Sequence, residues 1–338
     1  MRTASQLLAL LAASTAIVAT PAIAQDAPRT DSTRAMTARD LVTMPRLGLS
    51  SVSPDGKRAL YSVTTTDESS LDRSTSYRVK TLANGEEAEV QIRDGASSLV
   101  FFDDERIYFL APGGRNSEGM QVFTGILLPN GTVAQETQVT RVNRDIGGFK
   151  VAPDGQSIAV FGNVPRECAQ FACKSDSSRY LPGPGTGMLF DGSDGFVRHW
   201  DTYETPGTFS RVFVFPIENG LASGPGIAAD GPAGEGALTG DTPVQPFGGL
   251  EDMAWGADGD ALYFVSRQAD ASEPTSTNTD IYRFAMGETR PTNITAANQA
   301  SDAAPSPSPD GKWLAYLAME RPGYESDRMQ VMLRDLAT

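Results

Sequence analysis

Histidine is almost absent from this chain: His199 is the only one in 338 residues. A Ser-His-Asp site needs a histidine as its base, and in an α/β-hydrolase that histidine follows the nucleophile serine in chain order. No serine here carries glycine at both flanking positions of a Gly-x-Ser-x-Gly elbow, and Gly192-Ser193-Asp194-Gly195 misses by one position and reads as a flexible turn. No catalytic residue is therefore assigned. Cofactor motifs are also missing. There is no Gly-x-x-x-x-Gly-Lys-Ser/Thr loop and no dinucleotide fingerprint after a strand. Asp191 to Gly195 lacks the alternating oxygen ligands of a calcium loop, so neither a metal nor a cofactor is expected. Positive charge is in short supply, with 28 Lys and Arg against 42 Asp and Glu and a net charge of −14. Such a chain repels nucleic acid and anionic lipid. The acids are scattered as on a solvated surface, and the adjacent pairs Glu86-Glu87 and Asp103-Asp104 fall in turns.

Cysteine is limited to Cys168 and Cys173. In an oxidising compartment four intervening residues suit a small disulfide-closed loop, which stabilises by about 2 kcal/mol. Half of a zinc site is the alternative, and the lone histidine cannot complete it. The compartment follows from the first 24 residues. Met1-Arg2 is basic, Leu7 to Val18 is apolar apart from Ser14 and Thr15, and Ala22-Ile23-Ala24 supplies small residues at −3 and −1. That is a secretory signal peptide with cleavage before Gln25. As a membrane anchor the stretch is too short, and Pro21 follows it. No later run is apolar enough to span a bilayer, so the mature chain is expected to be periplasmic or secreted and free of the membrane.

What the chain does contain is a repeat. Ser53-Pro54-Asp55-Gly56-Lys57, Ala152-Pro153-Asp154-Gly155-Gln156, Gly256-Ala257-Asp258-Gly259-Asp260 and Ser308-Pro309-Asp310-Gly311-Lys312 share one turn pattern. Each precedes an aromatic and β-branched run, such as Leu262-Tyr263-Phe264-Val265, that favours a strand. Val100 to Leu110 is a degenerate copy around Asp104. Between the markers Asp55, Asp104, Asp154, Asp258 and Asp310 three steps are near 50 residues and one is near twice that. The long step reads as one repeat with an insertion, because the segment from Asn163 to Phe209 holds both cysteines and no second turn-and-strand copy. Gly220 to Gly249, rich in Gly, Pro and Ala, reads as a further loop.

Each repeat continues with a third strand, a turn and a fourth short strand, the last at Ala88 to Ile92, Thr137 to Thr140 and Thr292 to Thr295 in the first, second and fourth copies. Four antiparallel strands in about 40 to 50 residues make one β-propeller blade. The expected fold is all-β: four complete blades over residues 50–95, 96–145, 146–247 (with the insertion) and 248–299, and an incomplete fifth over 300–338. Residues 1–24 are the signal peptide and 25–49 an extension with a short helix, for which Thr37 is the N-cap candidate. The fifth blade stops after its third strand, at Met329 to Leu333, which exposes a sheet edge. Either residues 36–50 close the ring or the chain is a truncated part of a longer protein; the helical look of 36–46 favours truncation.

With the repeat in place, the residues resemble a known family. Asp40-Leu41-Val42 to Arg46-Leu47-Gly48, followed by Ser51-Val52 and the first turn, is similar to the mature start of prolyl oligopeptidase family serine peptidases, of the acylaminoacyl-peptidase and dipeptidyl-aminopeptidase-like kind. Val197 to Thr202 followed by Arg211 to Val214 resembles a segment of their third blade. The resemblance implies that a carboxy-terminal α/β-hydrolase domain with the catalytic triad, absent from these residues, would follow a propeller that admits short peptides. It makes this chain the substrate-gating propeller of an exported peptidase. Arg198, His199 and Trp200 are then candidate substrate contacts, although a lone His beside Trp also reads as a residue packed under the inserted loop. A free-standing periplasmic propeller that binds a protein partner is the alternative.

Overall fold

The computed structural model describes residues 35–165, 167–173, 187, 195–204, 207–232 and 238–337. The signal-peptide residues and most of Gly192-Ser193-Asp194-Gly195 lie outside them. Two units are present, divided after Met44. In the first, helix α1 (Ala38–Thr43) begins at a capping box: the Asp40 amide donates to the Thr37 hydroxyl and the Asp40 carboxylate accepts from the Thr37 amide.

The second unit is a series of antiparallel sheets. Strands β1 (Arg46–Val52), β2 (Arg58–Thr66), β3 (Arg73–Thr81) and β4 (Glu87–Glu89) pair in chain order as the first blade. Strands β5 (Ser97–Phe101), β6 (Arg106–Pro112), β7 (Met120–Leu127) and β8 (Val133–Gln138) form the second. The third has β9 (Gly148–Val151) and β10 (Ser157–Pro165), then a small hairpin, β11 (Arg198–His199) with β12 (Thr202–Tyr203), inside the insertion. It resumes with β13 (Thr208–Glu218), which pairs with β10 from Ser157↔Pro216 to Pro165↔Thr208. Its outermost strand is split into β14 (Leu221–Ala222) and β15 (Ile227–Ala228), both on β13. The fourth blade is β16 (Met253–Trp255), β17 (Ala261–Ser266), β18 (Asp280–Ala285) and β19 (Thr292–Asn293), and the fifth is β20 (Asp302–Pro307), β21 (Trp313–Ala318) and β22 (Gln330–Asp335). The all-β propeller with four complete blades and a three-stranded fifth is therefore the observed architecture. The long step is a single blade carrying an insertion. Among the described strands none pairs the first blade with the fifth.

The repeated turns show why the pattern recurs. In the first, the Ser53 hydroxyl and the Lys57 amide both donate to one Asp55 carboxylate oxygen, at 2.7 and 3.0 Å, while Gly56 sits at φ +70°. The fifth-blade turn repeats this with Ser308, Lys312, Asp310 and Gly311. Asp caps the turn and Gly supplies the left-handed residue.

Packing explains the unbroken apolar runs. A strand in a middle blade is covered on both faces, so both alternating sets of side chains are apolar. On β6, Ile107 and Phe109 join Leu60 and Val79 of the first blade, whereas Tyr108 and Leu110 join Phe149, Ile158 and Phe213 of the third. On β17, Leu262 and Phe264 meet Val212 and Val214, whereas Tyr263 and Val265 meet Leu314 of the fifth blade. One apolar seam thus fills each of the four gaps between neighbouring blades.

Candidate functional site at the insertion face

Alternating strand direction puts the Asp-Gly turns on one face of the propeller. The loops between second and third strands, and the returns to the next blade, lie on the other face. The third-blade insertion is such a loop, and two cavities open beside it. The larger, of about 660 Å³, is lined by Glu118, Arg144, Asp145, Asn163 and Ser210 among others. The smaller, of about 230 Å³, is lined by His199, Phe247, Glu251, Asp252, Arg267 and Thr279 among others. Gln245 borders both.

Two arginines hold the insertion to the blade. Cys168 and Cys173 are disulfide-bonded, as their spacing suggests, which leaves no half-site for zinc. Arg211 on β13 donates to the Cys168 carbonyl at 2.5 Å and grips Asp230 with both arms of its fork, at 2.5 and 2.8 Å. Arg144 donates to the carbonyls of Phe171, Cys173 and Asn163 at 2.6 to 2.8 Å. Arg144 therefore meets carbonyls where a carboxylate is usual.

The sequence candidates separate here. His199 is half-buried, and its ring stands 4.9 Å from Phe196, 6.4 Å from Trp200 and 5.3 Å from Phe247. Its Nδ1 is buried with no hydrogen-bond partner among the described residues. Trp200 is 76 % exposed, sits at φ +55° and meets Phe247, itself 64 % exposed, at 5.3 Å. Arg198 is exposed and lies over the Tyr203 ring across the small hairpin. Thus His199 and Trp200 share one aromatic rim, and Arg198 faces Tyr203. Sequence reasoning missed Phe247, Asp252 and Arg267, which complete that rim and its floor. The signal that could have found the first is a lone aromatic in the Gly- and Pro-rich segment before the fourth blade.

The cavity floor is acidic. Burial, and secondarily the charge of Glu251, push the Asp252 carboxyl up to about 7. Burial likewise drives Asp302, on the adjoining β20, up to about 6. Burial and then the charge of Glu273 raise Glu204 in the insertion, while Glu273 accepts the Phe196 amide at 3.0 Å. Burial lowers Lys150 on β9, against the opposing pull of Glu251.

These shifts have a sign. A carboxyl that keeps its proton to higher pH when folded than when unfolded makes the native state bind more protons in between, so stability falls as pH rises through that window. For Asp252 the window runs from about 4 to about 7. The urea midpoint followed from pH 4 to 8 is expected to decline, and Asp252→Asn to remove much of the slope. An unchanged slope in that variant would show that Asp252 is not held protonated.

No protein-family model matches the chain. Dipeptidyl-peptidase 5 of Porphyromonas endodontalis is 32 % identical over 316 residues, covering 90 % of this chain and 41 % of that protein. Dipeptidyl-peptidase 5 of Porphyromonas gingivalis is 27 % identical over 318 residues, again 90 % of this chain and 42 % of that one. The chain thus spans about two fifths of the length of the curated relatives it matches. Among solved structures, uncomplexed acylaminoacyl peptidase of Pyrococcus horikoshii superposes with a TM-score of 0.56 at 15 % identity, over 88 % of this chain and 39 % of that one, which shows a common fold.

Proposed function

We propose, from the kinship of this chain with propeller-bearing serine peptidases of the prolyl oligopeptidase type, that it is the substrate-gating propeller of an exported enzyme that hydrolyses short peptides. Catalysis then belongs to a hydrolase domain outside these residues. The carrying observation is the insertion face. The third blade carries its insertion on this face, and that loop is fastened by a disulfide and two arginines beside the two cavities. In this reading the loop restricts entry and meets a peptide as it passes. Export is supported by the amino-terminal residues and by the disulfide, which suits an oxidising compartment.

The test is length selectivity in the full-length gene product. Peptides of about five residues are expected to be cleaved at least tenfold faster than peptides of about thirty, since a gate acts on access to the nucleophile. Replacing the small hairpin, residues 198–203, by a short Gly-Ser turn is expected to narrow that ratio severalfold with little change for the short peptide. A ratio that the shortened loop leaves unaltered would reject gating by this face.

A further inference from the structure

A buried carboxyl is costly unless a cation or several donors meet it. Asp252 is only 7 % exposed, and the partner it does have is the Val244 amide. Every charged or titratable neighbour leaves its charge uncompensated. Glu251 repels it, and Lys150 lies toward Glu251. Arg267 lines the same cavity but has its guanidinium over the Phe196 ring, at 5.8 Å. His199 faces Phe196, Trp200 and Phe247. Among the described residues no cation pairs with Asp252.

In front of this carboxyl lies the 230 Å³ cavity, lined in part by Phe247, and the largely exposed Phe247 ring stands 5.3 Å from the exposed ring of Trp200. Aromatic faces attract organic cations, most strongly where water is excluded. The space holds about seven groups of water size, enough for an alkylammonium or guanidinium chain. A metal ion fits less well, because no three His, Cys, Asp or Glu side chains converge among the described residues. An apolar side chain could fill the space but would leave the carboxyl unmatched.

We infer that this cavity is a subsite for the basic side chain of a lysine or arginine in a peptide entering the propeller, with its cationic end against Asp252 and its methylenes against Phe247 and Trp200. The inference rests on the reading of the chain as a substrate-gating propeller and adds the class of substrate. A cation source of the same chemistry is the peptide's own terminal amine, so the probes must separate the two.

Calorimetric titration of the mature chain, residues 25–338, serves. The probes are acetyl-Ala-Lys-Ala-amide, its norleucine counterpart of equal length and no charge, and the norleucine peptide with a free amino terminus. At pH 8 the lysine peptide is expected to bind at least tenfold more tightly than the acetylated norleucine peptide. The ratio should shrink toward pH 5.5, as a carboxyl that must be ionised to hold the cation takes up its proton. Asp252→Asn should abolish both the ratio and its pH dependence. Trp200→Ala, a change at an exposed position that spares the core, should weaken the lysine peptide about threefold. Equal binding of lysine and norleucine peptides, or a ratio that survives Asp252→Asn, overturns the inference. So does binding by the free-amine peptide alone, which assigns the cation to the chain terminus. Absence of binding by all three also overturns it, while gating is judged separately by the length selectivity of hydrolysis.

Discussion

Arg211→Ala is expected to cost about 3 to 5 kcal/mol of folding stability, the usual consequence of removing one partner of a buried ion pair. Arg211 is 4 % exposed, and its side chain makes both contacts to Asp230 and two to the carbonyls of Cys168 and Gly231. Alanine leaves a carboxylate that no solvent reaches and two orphaned carbonyls. The loss is pH-dependent in a defined sense. Burial drives the Asp230 carboxyl upward, and the guanidinium is the opposing influence. Without it the folded carboxyl holds a proton that the unfolded one has released, so the stability of the variant falls by about 1.4 kcal/mol per pH unit above about pH 4 until the folded group ionises. Burial raises the wild-type carboxyl too, over a window that the guanidinium shortens, so wild type minus variant should widen with pH once the wild-type carboxyl has ionised. Arg211→Lys keeps the charge without the fork and should recover less than half. The double change Arg211→Met with Asp230→Leu should recover most, since no buried charge remains. Urea unfolding across pH 4 to 8 measures all four proteins. A single-variant loss below about 1 kcal/mol would show that Arg211 is not a principal tie between insertion and blade.

The architecture was legible because the features that specify it are local. Asp55, Asp154 and Asp310 each hold the amide two residues on, so the turn can be read from a few letters. Seams on both faces of β17 explain why Leu262 to Val265 lacks alternation and still forms a strand. Outer strands read less well. In the second blade the sequence suggests Thr137 to Thr140, but the strand begins at Val133. There the Leu128 amide donates to Thr132 in a tight turn, and Gly131 at φ +86° lies so close to the Glu89 carbonyl that any side chain would collide with it. That proximity to the preceding blade is tertiary and leaves no local pattern. The split outer strand of the third blade lies in a Gly- and Pro-rich segment read as loop, because a two-residue strand has no periodicity to detect. The bulges in the innermost strands, with Ser98 at φ +55° and Ala304 at φ +52°, fall on residues with no preference for that conformation. At the site, His199-Trp200 stood out as a rare pair. Phe247, Asp252 and Arg267 did not, because what distinguishes them is burial and proximity to a loop about fifty residues or more away in the chain.

Phe171→Ala is the complementary prediction, since it tests whether the insertion is part of the blade's core or a flap laid over it. Phe171 lies in the disulfide loop yet is completely buried, with its ring 5.4 Å from Phe213 and 6.1 Å from Phe215, edge-on to both. It belongs to the same apolar seam as Ile158 and Val160 of β10. Truncating such a ring removes its transfer free energy and leaves a void, about 3 to 5 kcal/mol together. The edge-on pair with Phe213 adds a coupling of about 0.5 to 1.5 kcal/mol, which a double cycle with Phe213→Ala would isolate. Because the Phe171 carbonyl and that of Cys173 both accept from Arg144, a loosened ring should also free the wall of the larger cavity. Amide exchange around residues 167–173 should then accelerate beyond what the global loss accounts for. Tryptophan fluorescence in urea and native-state hydrogen exchange give the two readings. A loss under about 1 kcal/mol with unchanged exchange would mean that the loop rests on the blade without being packed into it, and the gate would have to be sought in a rigid part of the same face.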